Sequence, residues 1–180
     1  MKTILVILYL LAIALANVIT ASNDPIFWGK LIIPAGSFLI GATFILRDLV
    51  QNALGRRNTY LAIGVALLLS AAVSYSLGDT LWVVTASAAA FLVSETTDTE
   101  IYTRLRLPMS LRVLYSGVAG GVLDSGIFVI LAFSPIVNGF LSWDMVGYAI
   151  AGQVVVKIVM QCIGASIIGF AQRLKKPAQI

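Results

Sequence analysis

The sequence predicts an all-α fold: a polytopic membrane protein with six transmembrane helices and both termini in the cytoplasm. The first observation is composition, because 59% of the 180 residues are hydrophobic and 11% are charged, against about 25% charged in soluble domains. The second is length, since six apolar segments fit the 20 or so residues that one bilayer-spanning helix needs. The third is charge, because the basic residues are concentrated in alternate loops.

The six segments cover approximately residues 3–21, 31–54, 59–77, 81–102, 113–134 and 145–171. Polar and turn-forming stretches such as SNDPIFWGK, GRRN and TRLRLPMSLR separate them. Pro34 and Gly36 fall in the first turns of the predicted second span, where neighbouring helices can accommodate a kink. The whole chain, 1–180, is predicted to form a single transmembrane domain.

The loop charges orient these spans. The loops on one side contain Lys30 together with three aspartates, whereas the opposite side is basic. The basic side carries Lys2, Arg56, Arg57, Arg104, Arg106, Arg112, Arg173, Lys175 and Lys176. The positive-inside rule places that side, with both termini, in the cytoplasm. Trp28, Trp82 and Trp143 lie near span ends on the other side, as interfacial aromatic anchors do.

The first span also resembles a secretory signal. It combines Lys2 and an apolar run with Ala14-Leu15-Ala16, which could serve as a cleavage site. Cleavage would leave the orientation of the other spans unchanged, so charge does not decide between the two readings. We favour retention, in which case Asn17 would be functional.

Several function classes lack their signatures. The chain has no histidine and a single cysteine, Cys162, so neither an intramolecular disulfide nor a metal or haem cofactor is predicted. No P-loop or Gly-x-Ser-x-Gly motif occurs. Asp98 and Asp124 could imitate an intramembrane aspartyl dyad, but they follow Thr97 and Leu123 instead of the usual Tyr-Asp and Gly-x-Gly-Asp settings. We therefore predict a protein that is not an enzyme.

The fourth span places carboxylates where lipid is expected. A charged side chain at the centre of a span costs about 2.5–3.5 kcal/mol on insertion scales, so it usually faces a partner, a cavity or a substrate. Glu95 and Asp98 are predicted to accept hydrogen bonds from a ligand, and Phe91 or Tyr102 to stack on it. Glu100 is expected at the cytoplasmic rim, beside Arg104 and Arg106.

Three other spans carry polar residues as well. Arg47 and Asp48 in the second span form either an internal ion pair, with Arg47 reaching outward to the boundary, or part of a binding site. Asp124 lies at the centre of the fifth span and is expected to pair with Lys157 of the sixth, either structurally or as part of a site. Gln153, Lys157 and Gln161 recur at helical spacing and form one polar stripe.

Several stretches together resemble the queuosine precursor transporters, also called the vitamin uptake transporter family. They are ANV at residues 16–18, RDLVQNALGRR, ASAAAFLVSETTDTEIYTRLR, GGVLDSGIFVILAF and GQVVVKIVMQ, in the same order and spacing. The resemblance implies a six-helix transporter that imports 7-deazaguanine bases, such as preQ0, preQ1 or queuine, across the bacterial cytoplasmic (inner) membrane. By the family pattern, the polar and aromatic positions are Asn17, Asp48, Ser87, Phe91, Asp98, Asp124, Ser125 and Lys157.

The predicted substrate-binding set joins these positions with residues singled out by the spans themselves. It comprises Asn17, Asp48, Ser87, Phe91, Glu95, Asp98, Asp124, Gln153 and Lys157. The expected partners are a purine-like small molecule and the lipid bilayer, not a nucleic acid. Gly117-x-x-x-Gly121 serves packing within one chain as readily as pairing of two copies, so a homodimer stays open. A substrate-binding subunit of an ATPase-coupled vitamin transporter and a purely structural membrane protein are the remaining alternatives.

Overall fold

The computed structural model describes residues 2–137 and 139–175. These residues form six α-helices and one β-hairpin. In chain order they are α1 (Lys2–Ser22), β1 (Ile26–Trp28), β2 (Leu31–Ile33), α2 (Ser37–Leu54), α3 (Arg56–Ser76), α4 (Leu81–Arg104), α5 (Met109–Phe133) and α6 (Trp143–Lys175). Lys176, one of the residues used to orient the spans, lies outside the described residues, as do the two ends of the predicted domain 1–180.

The helical architecture is that of a membrane protein. Four helices, α1, α3, α5 and α6, are long and apolar enough to cross a bilayer. The other two, α2 and α4, carry Arg47, Asp48, Glu95 and Asp98 in their interiors. The all-α membrane fold is thus supported, while the crossing of the bilayer by α2 and α4 stays a prediction.

The start of the predicted second span differs in the structure. Residues 31–33 form a β-strand paired antiparallel with residues 26–28, and α2 begins only at Ser37. Gly29, at φ 61°, makes the turn of the hairpin, and Pro34 disfavours helical geometry at the residue before it. Pro34 and Gly36 therefore precede the helix and do not kink it.

The hairpin is held by close backbone approach. A side chain at Gly152 of α6 would lie 2.6 Å from the Ile32 carbonyl oxygen, so β2 can rest on α6 only because that position is glycine. Gly36 likewise abuts the Ala16 carbonyl and the Thr20 hydroxyl of α1. These contacts fix the hairpin between α1 and α6.

Contacts at the helix ends show how the bundle is arranged. Arg56 at the start of α3 pairs with Glu100 near the end of α4, and Gly169 of α6 lies near Ser110 of α5. At the opposite end, Trp82 Nε1 in the first turn of α4 donates to the Leu131 carbonyl of α5 over 2.6 Å. The basic helix ends therefore lie together, away from the tryptophan-bearing ends.

The first helix is part of the core. Tyr9 and Ile13 of α1 are buried with Val50, Ile63 and Phe91 from the next three helices. Cleavage after Ala16 would remove both α1 side chains from this cluster. Retention of the first helix stays a prediction.

Candidate functional site

A cavity of about 420 Å³ opens at the hairpin end of the bundle. Pro25, Phe27, Phe140 and Met145 surround its mouth, close to the chain segments that join the helices. Its walls are mostly apolar and contain a few polar groups. The volume lies within the range of about 300–1,000 Å³ that small-molecule sites occupy.

Seven of the nine predicted site residues line this cavity. They are Asn17, Ser87, Phe91, Glu95, Asp124, Gln153 and Lys157. Asp48 and Asp98 do not line it, and both are fully buried. The predicted set therefore divides into residues that face the cavity and residues behind its wall.

Lys157 is the centre of the polar contacts on the α5–α6 side. Its Nζ donates to Asp124 Oδ2 over 2.6 Å, to Ser125 Oγ over 2.8 Å and to Gln153 Oε1 over 3.4 Å. Lys157 is 2% exposed and Asp124 17% exposed, so Asp124 remains accessible from the cavity. The predicted Asp124–Lys157 pair is present and borders the cavity.

Asn17 fixes a second polar position on the opposite wall. Its Nδ2 donates to Ser70 Oγ over 2.9 Å, which joins α1 to α3. Both residues line the cavity. Ser70 was not singled out in the sequence, because a lone serine in an apolar helix carries no signal of its own.

Arg47 organises a buried ion-pair cluster behind the cavity, which we call the Arg47 cluster. The cluster consists of Arg47, Asp48, Glu95 and Asp98, each at most 1% exposed. Arg47 Nη2 lies 3.1 Å from Asp48 Oδ1 and also pairs with Asp98 Oδ2, while Nε lies 3.3 Å from Glu95 Oε2. One guanidinium thus faces three carboxylates. The predicted internal ion pair of Arg47 with Asp48 is present, but Arg47 is fully buried and does not reach outward to the boundary.

Neutral side chains complete the cluster. Arg47 Nη1 donates to Gln51 Oε1 and to Thr99 Oγ1, each over 3.1 Å. Ser116 Oγ of α5 donates to Asp48 Oδ2 over 3.5 Å. These bonds join α2, α4 and α5 at the base of the cavity.

Glu95 belongs both to the cavity lining and to the Arg47 cluster. It lines the cavity and also pairs with Arg47. Among the described residues, it is the one carboxylate with both properties. A ligand that reached the floor of the cavity would therefore meet a carboxylate already bound to the Arg47 cluster.

Two expectations for the end of α4 have different outcomes. Tyr102 is buried away from the cavity, with the Arg112 guanidinium 4.4 Å from its ring centroid, so its predicted stacking on a ligand is wrong. Glu100 pairs with Arg104 over 3.2 Å as predicted. It also accepts from Arg56 and, over 2.6 Å, from the Tyr60 hydroxyl. The sequence did not single out these α3 partners, which lie about 40 residues earlier in the chain.

Glycines bring α5 and α6 together beside the site. A Cβ at Gly121 would lie 3.2 Å from Lys157 Cβ, and Gly117 abuts the Gln161 amide. Gln161 Nε2 donates to the Gly41 carbonyl over 2.8 Å, so this amide joins α6 to α2 and lies outside the cavity lining. The glycine face predicted for helix approach is therefore an intrachain contact.

These features define a helical membrane protein with a small-molecule cavity and a buried charge network. Residues 70–171 match the sequence profile of the family described as "Putative vitamin uptake transporter". The chain belongs to this family of transporters, which confirms the family-level resemblance found in the sequence motifs. Neither a curated protein nor a solved structure matches the chain. The matched region includes the cavity residues from Ser87 to Lys157 and begins after Asn17 and Asp48.

Proposed function

We propose that the protein imports a queuosine precursor, a 7-deazaguanine base, across the bacterial cytoplasmic membrane. All six helices would cross the bilayer, with both termini inside. The observation that carries the proposal is the cavity floor, where two carboxylates, a lysine and an aromatic ring line one small space: Glu95, Asp124, Lys157 and Phe91. Membership of a vitamin uptake family supports the transport of a small organic molecule.

The polar groups suit the edges of a guanine-like base. Such a base presents neighbouring N–H donors, for which Glu95 and Asp124 offer acceptor oxygens. Its carbonyl oxygen requires a donor, which Lys157, Gln153 or Asn17 can supply. Phe91 offers a ring face, and base–aromatic stacking contributes about 1–3 kcal/mol per base in proteins that bind single strands. The cavity thus offers complementary groups for both the edge and the face of the ligand.

The closed end of the cavity suggests how transport would proceed. The mouth lies at the tryptophan-bearing end, which the charge rule assigns to the outside, and the Arg47 cluster lies at the closed end. The structure would therefore correspond to an outward-open state. Import would require the contacts among α2, α4 and α5 around Arg47 to open toward the cytoplasm while the mouth closes.

A rescue experiment tests the cargo. A bacterium that depends on external precursor and lacks its own importer should regain queuosine-modified tRNA when it expresses this protein. Asp124→Asn and Phe91→Ala should lower the rescue, whereas Leu92→Ala, on the exposed face of α4, should not. Absence of rescue by wild-type protein that is correctly inserted would refute the cargo assignment.

Reconstitution separates self-contained transport from the ATPase-coupled alternative. Purified protein in liposomes should exchange external labelled base for internal unlabelled base without any partner. Exchange that requires co-purified ATPase subunits would favour a substrate-binding subunit of an energy-coupled transporter.

A further inference from the structure

We propose that the Arg47 cluster is a proton-binding site and that import of the cargo is coupled to protons carried there. The inference rests on the proposed transport function and adds its energy source. It starts from the charge balance of the buried residues. It then depends on a buried carboxyl oxygen of Asp98 that lacks a hydrogen-bond partner among the described residues. It also depends on Glu95, which both lines the cavity and pairs with Arg47.

The buried charges do not balance. Within the Arg47 cluster one guanidinium faces three carboxyl groups, and the Lys157–Asp124 pair beside it is neutral as a pair. If all these groups were ionised, the set would carry two more negative than positive charges. Taking an uncompensated charge out of water costs several kcal/mol even after relaxation. The set is therefore more stable when protons are bound to some of its carboxyl groups.

Unpartnered atoms mark where a proton can be held. Asp98 Oδ1 is buried and has no hydrogen-bond partner among the residues that the structure describes. The Tyr9 hydroxyl is buried and lies beside Glu95, close enough to interact with that carboxyl group. A proton on one of these carboxyl groups would remove a negative charge and provide an O–H donor. A proton bound in the cluster thus lowers its net negative charge, and an O–H on Glu95 would have the Tyr9 hydroxyl beside it as an acceptor.

The same geometry disfavours a metal ion as the added charge. The guanidinium of Arg47 already contacts all three carboxyl groups, the farthest at 3.3 Å. A metal cation would need several of the same oxygens and would stand against the positive charge of Arg47. A proton needs a single carboxyl oxygen and no coordination shell. The cluster therefore suits protons better than sodium or a divalent ion.

Ionisable groups on five helices surround the three carboxyl groups. They are Tyr9 on α1, Arg47 on α2, Tyr102 on α4, Arg112 and Asp124 on α5, and Lys157 on α6. From α3, Arg56 and Tyr60 bind Glu100 instead. Within the described residues, Arg112 makes no ion pair with the cluster and lies against the Tyr102 ring. Arg47 is therefore the cation that holds the three carboxyl groups together.

Glu95 provides the coupling between cargo and proton. It is bound to Arg47 and also lines the cavity, so cargo donors compete with Arg47 for the same carboxylate. A proton that enters from the cavity binds a carboxyl oxygen of the cluster. The charge of that one carboxyl group then changes from −1 to 0. When the cluster opens to the cytoplasm, the same proton leaves to water and the carboxylate is restored. Cargo and proton thereby move in the same direction.

The test uses purified full-length protein in liposomes with the membrane potential clamped by potassium and valinomycin. Labelled queuine is the probe, and a dye trapped in the lumen reports internal pH. With the outside one pH unit more acidic, wild-type protein should concentrate queuine by up to about tenfold for each proton carried. Addition of queuine should also acidify the lumen.

The variants separate coupling from cargo binding. Asp98→Asn, behind the cavity wall, should exchange queuine at equal pH but should lose both the accumulation and the acidification. Asp48→Asn gives a second test if Asp98→Asn does not fold. Glu100→Gln, a carboxylate on the same helix outside the cluster, should behave like wild type.

Each contrary result has a distinct meaning. Accumulation that is the same with and without the pH gradient overturns the proton site, and so does accumulation driven by a sodium gradient. Full coupling in both Asp98→Asn and Asp48→Asn overturns the placement of the site in the Arg47 cluster. If wild-type protein fails to exchange queuine at equal pH, the proposed cargo itself is wrong and the inference falls with it.

Discussion

Lys157 Nζ on α6 lies 2.6 Å from Asp124 Oδ2 on α5, at the wall of the cavity. Ser125 and Gln153 accept two further hydrogen bonds from the same ammonium group. A buried pair of this kind is weak evidence for a stabilising role, since apolar replacements are often as stable. Its place beside the cavity makes ligand binding the better reason for its presence.

Variants of Asp124 and Lys157 can show whether the pair serves stability or ligand binding. Lys157→Ala should lower the free energy of unfolding by up to about 3–5 kcal/mol, because it leaves Asp124 without its cation. The double variant Asp124→Asn with Lys157→Gln should regain most of that stability but no uptake. Thermal unfolding in detergent and uptake in liposomes give the two readouts. Recovery of uptake in the double variant would show that the pair is only structural.

Gly121 sets the position of Lys157 and predicts a local packing effect. A Cβ at Gly121 would lie 3.2 Å from Lys157 Cβ, whereas a Cβ at Gly126 of the same helix would meet nothing within 4 Å. Both changes to alanine gain about 0.5–1 kcal/mol of helix propensity. Gly121→Ala should therefore be less stable than Gly126→Ala and should transport more slowly.

Uptake kinetics and thermal unfolding of the two glycine variants, side by side, check this expectation. Equal behaviour of the two would mean that α5 and α6 separate without cost, and that the position of Lys157 does not depend on Gly121.

Phe91 is expected to carry the stacking contact with the ligand. Phe91→Ala should weaken binding of the base by about 1–3 kcal/mol, the loss seen for stacking platforms in other proteins. Phe91→Trp should retain much of the affinity. Leu92→Ala, one residue along on the exposed face, is the matched control. Isothermal titration with queuine measures all three, and an unchanged affinity in Phe91→Ala would exclude a stacking role.

Helices and buried charges were predictable from the sequence because each follows from local pattern. Apolar length predicts the six helices to within about four residues at each end, except that α2 begins six residues later than predicted. A lysine and an aspartate within apolar helices require a partner, which Lys157 and Asp124 provide for each other. The hairpin is not predictable from local pattern, because the apolar run at Leu31–Ile33 is equally compatible with the start of an apolar helix. Its strand geometry depends on Gly29, Pro34 and the packing on α6.

The separation of the site into two layers could not be predicted. Asp98 and Glu95 are one turn apart on α4, yet only Glu95 lines the cavity. Arg47, which lies about 50 positions earlier in the chain, pairs with both carboxyl groups, so their difference comes from how α4 is turned toward the cavity. Such a contact depends on how α2 and α4 cross, which no local pattern specifies.

Arg47 and Arg56 offer a direct comparison between a buried and an exposed arginine. Arg47 is fully buried against three carboxyl groups, whereas Arg56 is 53% exposed and pairs with Glu100. Arg56→Gln should cost less than about 1 kcal/mol, as exposed ion pairs usually do. Arg47→Gln should cost about 3–5 kcal/mol, because it leaves buried carboxyl groups without a cation. Addition of Asp98→Asn to Arg47→Gln should recover part of this loss, since it removes one of the unpaired charges. Thermal unfolding in detergent measures the series, and equal losses for the two arginine variants would contradict the cluster as the electrostatic centre of the bundle.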